Sequence, residues 1–206
     1  MTDGWRDLRK ADRDLAFSIL FAPATRRNLL ADRLLLAHEA ETAIRLASEP
    51  LLAAIRLQWW HDAVEKQRHE NVPLMTRLLS HIEAGHITAD DLTSQLELWQ
   101  EPLEQGSGGA AARWRDLFVI LAGSGDVTEA AGMIGAALVE PDRTVAILDR
   151  HIDDLAINDA WWIGMLGLLQ RHRQAVPASD AEPTLIWRML GWRYGFRRPQ
   201  EQQTIR

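Results

Sequence analysis

Two charged residues fall where the sequence is otherwise apolar. Arg56 lies within EPLLAAIRLQWWHDAV, residues 49–64, beside Leu52, Trp59 and Trp60. An unpaired guanidinium among such neighbours is costly, so something anionic should meet it. Glu41, at the edge of the apolar stripe on the preceding helix, is the natural counter-ion. A buried ion pair between adjacent helices is one reading. A polar cavity wall with Arg56 open to an anionic ligand is the other. Trp59 and Trp60 divide the same way: core packing in the first case, an apolar wall for a ligand in the second.

Further clusters invite the same weighing. Asp149 and Asp153 are four apart, with His151 and Asp154 alongside, which puts two carboxylates on one helical face. An exposed acidic face is the plain reading of that pattern. His38, Glu41 and Arg45 share one side of their helix, but one histidine and one carboxylate fall short of a metal ligand set. His81 and His86, five apart, share a helical face poorly. The chain has no Gly-rich phosphate loop and no HExxH, and no residue is assigned as a metal ligand.

Composition removes whole classes of function. With no cysteine, there is no disulfide, iron–sulfur cluster, thiolate zinc site or thiol nucleophile. A net charge of −6 argues against a nucleic-acid binder, which would present a basic surface. The opening MTDGWRDLRKADRD is charged and lacks the apolar core of a secretion signal. No uncharged apolar run approaches the length of a membrane span. A cytoplasmic protein is expected, in contact with a membrane surface at most. For that contact the candidate is WRMLGWRYGFRR, residues 187–198, where aromatic and basic residues alternate.

The elements that must position these residues are all helices. Residues 12–21 read as a short helix capped by Asp12 and stopped by Pro23. A longer one spans 26–48, with a stripe of Leu30, Leu34, Ala37, Ala40 and Ile44. The next opens at Pro50, whose missing N–H costs nothing in a first turn. Its Leu52, Ile55, Trp59 and Ala63 occupy one side, and Ala53, Leu57, Trp60 and Val64 another. A helix apolar over so much of its girth is expected inside, with other helices around it. Further helices are expected from Leu74 to near Gly85, from Thr88 to Leu103, and over 110–122. The small residues of AAGMIGAALV would permit close helix contact, and helices at 143–157, 159–175 and 184–196 complete the chain. With no alternating strand pattern, the expected class is all-α: one domain over 1–206, with eight to ten helices.

DRDLAFSILFAPATRR, AHEAETA and above all EPLLAAIRLQWWHDAV resemble the squalene/phytoene synthase family of head-to-head prenyl synthases. The last segment is close to the family's E-P-x-L-x-x-I-R-L-Q-W-W signature. The resemblance implies a truncated isoprenoid synthase-like helical bundle. Active members join two polyprenyl diphosphates using Mg²⁺ held by two facing aspartate-rich motifs, because Mg²⁺ prefers oxygen ligands. This chain departs from both motifs. Where the first belongs it reads HEAETA, with Glu39 and Glu41. Where the second belongs it reads AALVEPDR, interrupted by Pro141.

A family member lacking both metal motifs is expected to be a pseudoenzyme that binds a protein partner or an isoprenoid or lipid-like ligand. Its binding residues would be Glu41, Arg56, Trp59 and Trp60, with no cofactor. The family includes a non-catalytic precedent, a mitochondrial assembly factor for respiratory complex I. The alternative is a Mg²⁺-dependent transferase condensing polyprenyl diphosphates, alone or with a partner subunit. Its catalytic candidates are Glu39, Glu41, Asp149 and Asp153.

Overall fold

A computed structural model describes residues 3–68, 71–104, 109–123, 127–140, 155, 160–176 and 184–194, the side chains of 101–104 and 175 excepted. Among these residues there are ten α-helices and no strand. They are α1 (Asp3–Ala11), α2 (Arg13–Ser18), α3 (Arg27–Leu46), α4 (Pro50–Glu65), α5 (Pro73–Glu83), α6 (Ala89–Glu104), α7 (Ala110–Ala122), α8 (Thr128–Ala136), α9 (Trp161–Ala175) and α10 (Leu185–Arg193). A 3₁₀ turn, Ile19–Phe21, comes after α2. The chain is all-α, as the periodicity predicts. It divides into two compact units, one formed by Met1–Ala16 and Ala24–Arg113, the other by Phe17–Pro23 and Trp114–Arg206.

Local chemistry sets the helix ends. Asp12 Oδ1 accepts a hydrogen bond from the Leu15 N–H at 2.9 Å, capping α2 as expected. Pro50 and Pro73 open α4 and α5, each preceded by an extended residue. Thr88 and Asp91 cap α6 reciprocally. The Asp91 N–H donates to Thr88 Oγ1 and the Thr88 N–H to Asp91 Oδ2, both at 3.1 Å. Hydrogen bonds from the Thr88 side chain and backbone hold the Asp91 carboxyl below its ordinary value.

In the first unit the hub is α3, which packs against α1, α4, α5 and α6. Every residue from Leu30 to Ala37 is buried, including Asp32 and Arg33. Here the structure corrects the expectation that α4 is enclosed. The Ala53, Leu57, Trp60 and Val64 side of α4 is in the core, whereas Leu51, Leu52, Ile55 and Trp59 are exposed, Leu51 by 65% and Ile55 by 57%. Periodicity identifies both sides as apolar, but it carries no information on which one finds a partner.

Charge is buried around α3, too. Arg77 Nε lies 2.7 Å from Asp32 Oδ1, and Arg33 Nε donates to Gln95 Oε1 at 2.8 Å, with the Gln95 amide returning a bond to the Arg33 carbonyl. Burial pushes the Arg33 guanidinium down to about 10.

The second unit is built on α9, whose residues Trp161 to Leu169 are all buried. It packs against α8, α10 and the 3₁₀ turn. Trp162 meets Phe118 of α7 with ring centroids 5.5 Å apart, and the Gln170 amide donates to the Ile134 carbonyl of α8 at 3.0 Å. The expected close approach at the small residues is present. A Cβ on Gly135 would lie 2.5 Å from the Trp114 carbonyl oxygen, so α8 touches the α7 backbone there.

Candidate functional site

The residues singled out around Arg56 converge on the first unit, though not in the expected pairing. A cleft of about 390 Å³ opens between α3 and α4, lined by Glu39, Thr42, Ala43, Ile55, Arg56, Trp59 and Trp60. Its two walls arise from helix geometry. Glu39, Thr42 and Ala43 are three and four apart on α3, and Ile55, Arg56, Trp59 and Trp60 repeat that spacing on α4. Trp60 has its ring in the core, while Trp59 is 37% exposed. The two rings meet edge to face, with centroids 5.1 Å apart and planes at 79°. Trp60 is thus a core residue at the cleft's edge, and Trp59 is the open part of its apolar wall.

Glu41 does not pair with Arg56. Two positions from Glu39 on α3, it points elsewhere: its Oε1 lies 2.7 Å from Arg113 Nη2, and its Oε2 accepts from Arg113 Nε at 3.1 Å and from the Trp99 indole at 2.9 Å. Arg113 is buried and Glu41 nearly so, which makes this a two-pronged ion pair with an added neutral donor. Arg56 keeps its head in water at the cleft, avoiding the desolvation that its apolar neighbours imply. Among the described residues, no carboxylate lies within ion-pair distance of it. Glu39 is exposed on the opposite wall. A half-open cleft with an apolar wall and an exposed guanidinium that meets no carboxylate among the described residues can hold an amphiphile with an anionic head.

The other candidates divide. Burial pushes the His38 imidazole below its ordinary value, with the charges of Asp12 and Glu41 acting against that shift. Asp149, Asp153 and the neighbouring His151 and Asp154 lie outside the described residues. In the C-terminal segment, Trp192 is buried against His172 with ring centroids 5.4 Å apart, and Arg193 lies over the Trp161 ring at 4.8 Å. Trp187 and Tyr194 are 73% and 75% exposed. Phe196, Arg197 and Arg198 lie outside the described residues, and no described helix is long and apolar enough to cross a membrane.

The structure also brings together groups outside the cleft. His61, Asp62 and Glu65 place ligating atoms within 4.8 Å of one another on α4. Asp62, however, accepts hydrogen bonds from Lys66 and Gln58, each at 2.6 Å, and these hold its carboxyl below the usual range. Arg113, the true partner of Glu41, is 72 residues away from it in sequence, and no local signal points to it. His81 and His86 are in contact, against expectation. The chain matches no family model, no curated protein and no solved structure.

Proposed function

We propose that this chain is a non-catalytic member of the squalene/phytoene synthase family that binds an isoprenoid or similar lipid-like ligand with an anionic head in the α3–α4 cleft. The observation that carries this reading is the pairing of an apolar wall, Ile55, Trp59 and Trp60, with the exposed Arg56, which meets no carboxylate among the described residues. All four lie in the segment that resembles the family signature. The binding role is favoured over transfer chemistry by the state of Glu41. A carboxylate already gripped by Arg113 and Trp99 has little left to offer Mg²⁺. Among the described residues Glu39 is the one acidic group lining the cleft, whereas prenyl transfer needs several carboxylates to hold its metals.

A second reading, docking of a protein partner, is favoured by a different observation. Exposed apolar side chains recur along α4 at Leu51, Leu52 and Ile55, and Leu46, at the end of α3, is 61% exposed. Large apolar side chains grouped in sequence and left in solvent are what a docking surface presents. An assembly role belongs to this second reading.

Calorimetric titration with a C₁₅ polyprenyl diphosphate, with and without Mg²⁺, separates the cases. Expected is Mg²⁺-independent binding that weakens about tenfold in Arg56→Gln, the scale of one charge-assisted contact. No pyrophosphate should be released. Pyrophosphate release abolished by Glu39→Gln would establish the transferase alternative. No binding, with folding verified, would leave the protein-docking reading.

A further inference from the structure

The C-terminal end of α5 holds a pair of histidines in a geometry unrelated to the cleft. Ala84 is followed by Gly85 at φ +69°, a left-handed residue of the kind that glycine supplies without strain. The His86 N–H bonds back to the His81 carbonyl at 3.0 Å, and the Gly85 N–H to the Ile82 carbonyl at 2.9 Å. This is the paired arrangement that closes a helix on a glycine and folds the second residue beyond the cap onto the last turn. In most helices the contact so formed is apolar. Here it is two imidazoles, with His81 Nδ1 and His86 Nδ1 3.4 Å apart.

That separation is long for a hydrogen bond between ring nitrogens. It matches the span between two imidazole nitrogens on one tetrahedral ion, about 3.4 Å when each metal–nitrogen bond is about 2.05 Å. The tautomer is set from behind. His81 Nε2 lies 3.2 Å from Oδ2 of Asp32, a side chain only 3% exposed. An ionised carboxylate only accepts, so Nε2 carries the proton and the Nδ1 lone pair faces His86. A carboxylate behind a ligating histidine is the usual device for fixing its ring and raising its basicity.

Asp32 is itself held by Arg77, whose charge is shared between Asp32 and, at 3.5 Å, Asp7. The negative end of the α5 dipole lies at this C-terminus and favours a cation. His86 is exposed, so the open side of the pair faces solvent.

We propose that His81 and His86 form a two-imidazole site for a divalent transition-metal ion, with Zn²⁺ the ion that the span fits, Cu²⁺ a paramagnetic substitute that a small ring rotation admits, and Asp32 the positioning carboxylate. Imidazole suits both ions, and the oxygen-seeking Mg²⁺ and Ca²⁺ would not be held there. Solvent completes the coordination.

The test is titration of the purified full chain with Zn²⁺ by calorimetry and with Cu²⁺ by electron paramagnetic resonance. Expected is one equivalent bound, with hyperfine structure from two nitrogens. In His86→Ala, an exposed position that should leave the fold intact by circular dichroism, affinity falls at least about tenfold and one nitrogen is lost. His61→Ala, on α4, leaves binding unchanged. Unaltered affinity in His86→Ala, loss in His61→Ala instead, or no binding of either ion to the native chain would each overturn the site.

Discussion

Glu41 shows how one carboxylate is assigned a task by what surrounds it. Arg113 is only 8% exposed and Glu41 grips it with two prongs, so removing the carboxylate takes a close counter-charge away from a buried guanidinium. Glu41→Ala should cost about 3–5 kcal/mol in urea unfolding, the usual penalty for breaking such a pair from one side. The double variant Glu41→Leu/Arg113→Met should recover most of that loss, since a well-packed apolar replacement removes the charge along with its need. A single-variant cost below about 1 kcal/mol would mean that the pair is solvated and that Glu41 is available for other work. Helical periodicity puts Glu41 at the correct edge of its helix but points to the wrong neighbour. Arg56 is the nearest cation on the adjacent helix, and nothing in the spacing of residues indicates one from α7.

At the scale of elements, the α7–α8 contact turns on a single missing side chain. A methyl group at Gly135 would sit 2.5 Å from the Trp114 carbonyl oxygen and 2.8 Å from Phe118 Cβ, and neither can rotate away. Gly135→Ala should therefore destabilise by about 1–3 kcal/mol despite alanine's better helix propensity. At Gly132 the nearest atom is the flexible Cγ of Arg115, so Gly132→Ala should cost less. Equal thermal midpoints for the two variants would show that α8 is free to shift.

Helix limits are legible in the sequence because they depend on neighbours a few residues away: Asp12 at α2, Pro50 at α4, Pro73 at α5, and Thr88 with Asp91 at α6. The histidine pair also depends on a local motif, His-x-x-x-Gly-His. On a continuing helix His81 and His86 would point apart, which hides the pair from periodicity, but Gly85 ends the helix between them.

At the scale of the molecule, what the sequence does not disclose is which helix is enclosed. Both α3 and α4 are rich in apolar residues, yet α3 is surrounded and α4 keeps Leu51, Leu52 and Ile55 in solvent. Hydrophobic patterning measures what could be buried, and long-range packing decides what is. The two sides of α4 should accordingly respond differently to substitution. Leu57→Ala, on the core side, should lose about 2–5 kcal/mol. Ile55→Lys, on the open side, should stay within about 0.5 kcal/mol of the native chain while impairing whatever binds α4. A large loss of stability in Ile55→Lys would show that this face is covered.

The perpendicular contact between Trp59 and Trp60 has an optical consequence. Two indoles 5.1 Å apart with planes at 79° couple their electronic transitions, and such a chiral pair gives a circular dichroism couplet that either ring alone would not. Only one of the two is anchored in the core, so a molecule entering the cleft would turn the outer ring against a fixed reference. The cleft thus carries its own gauge of occupancy, readable without a label.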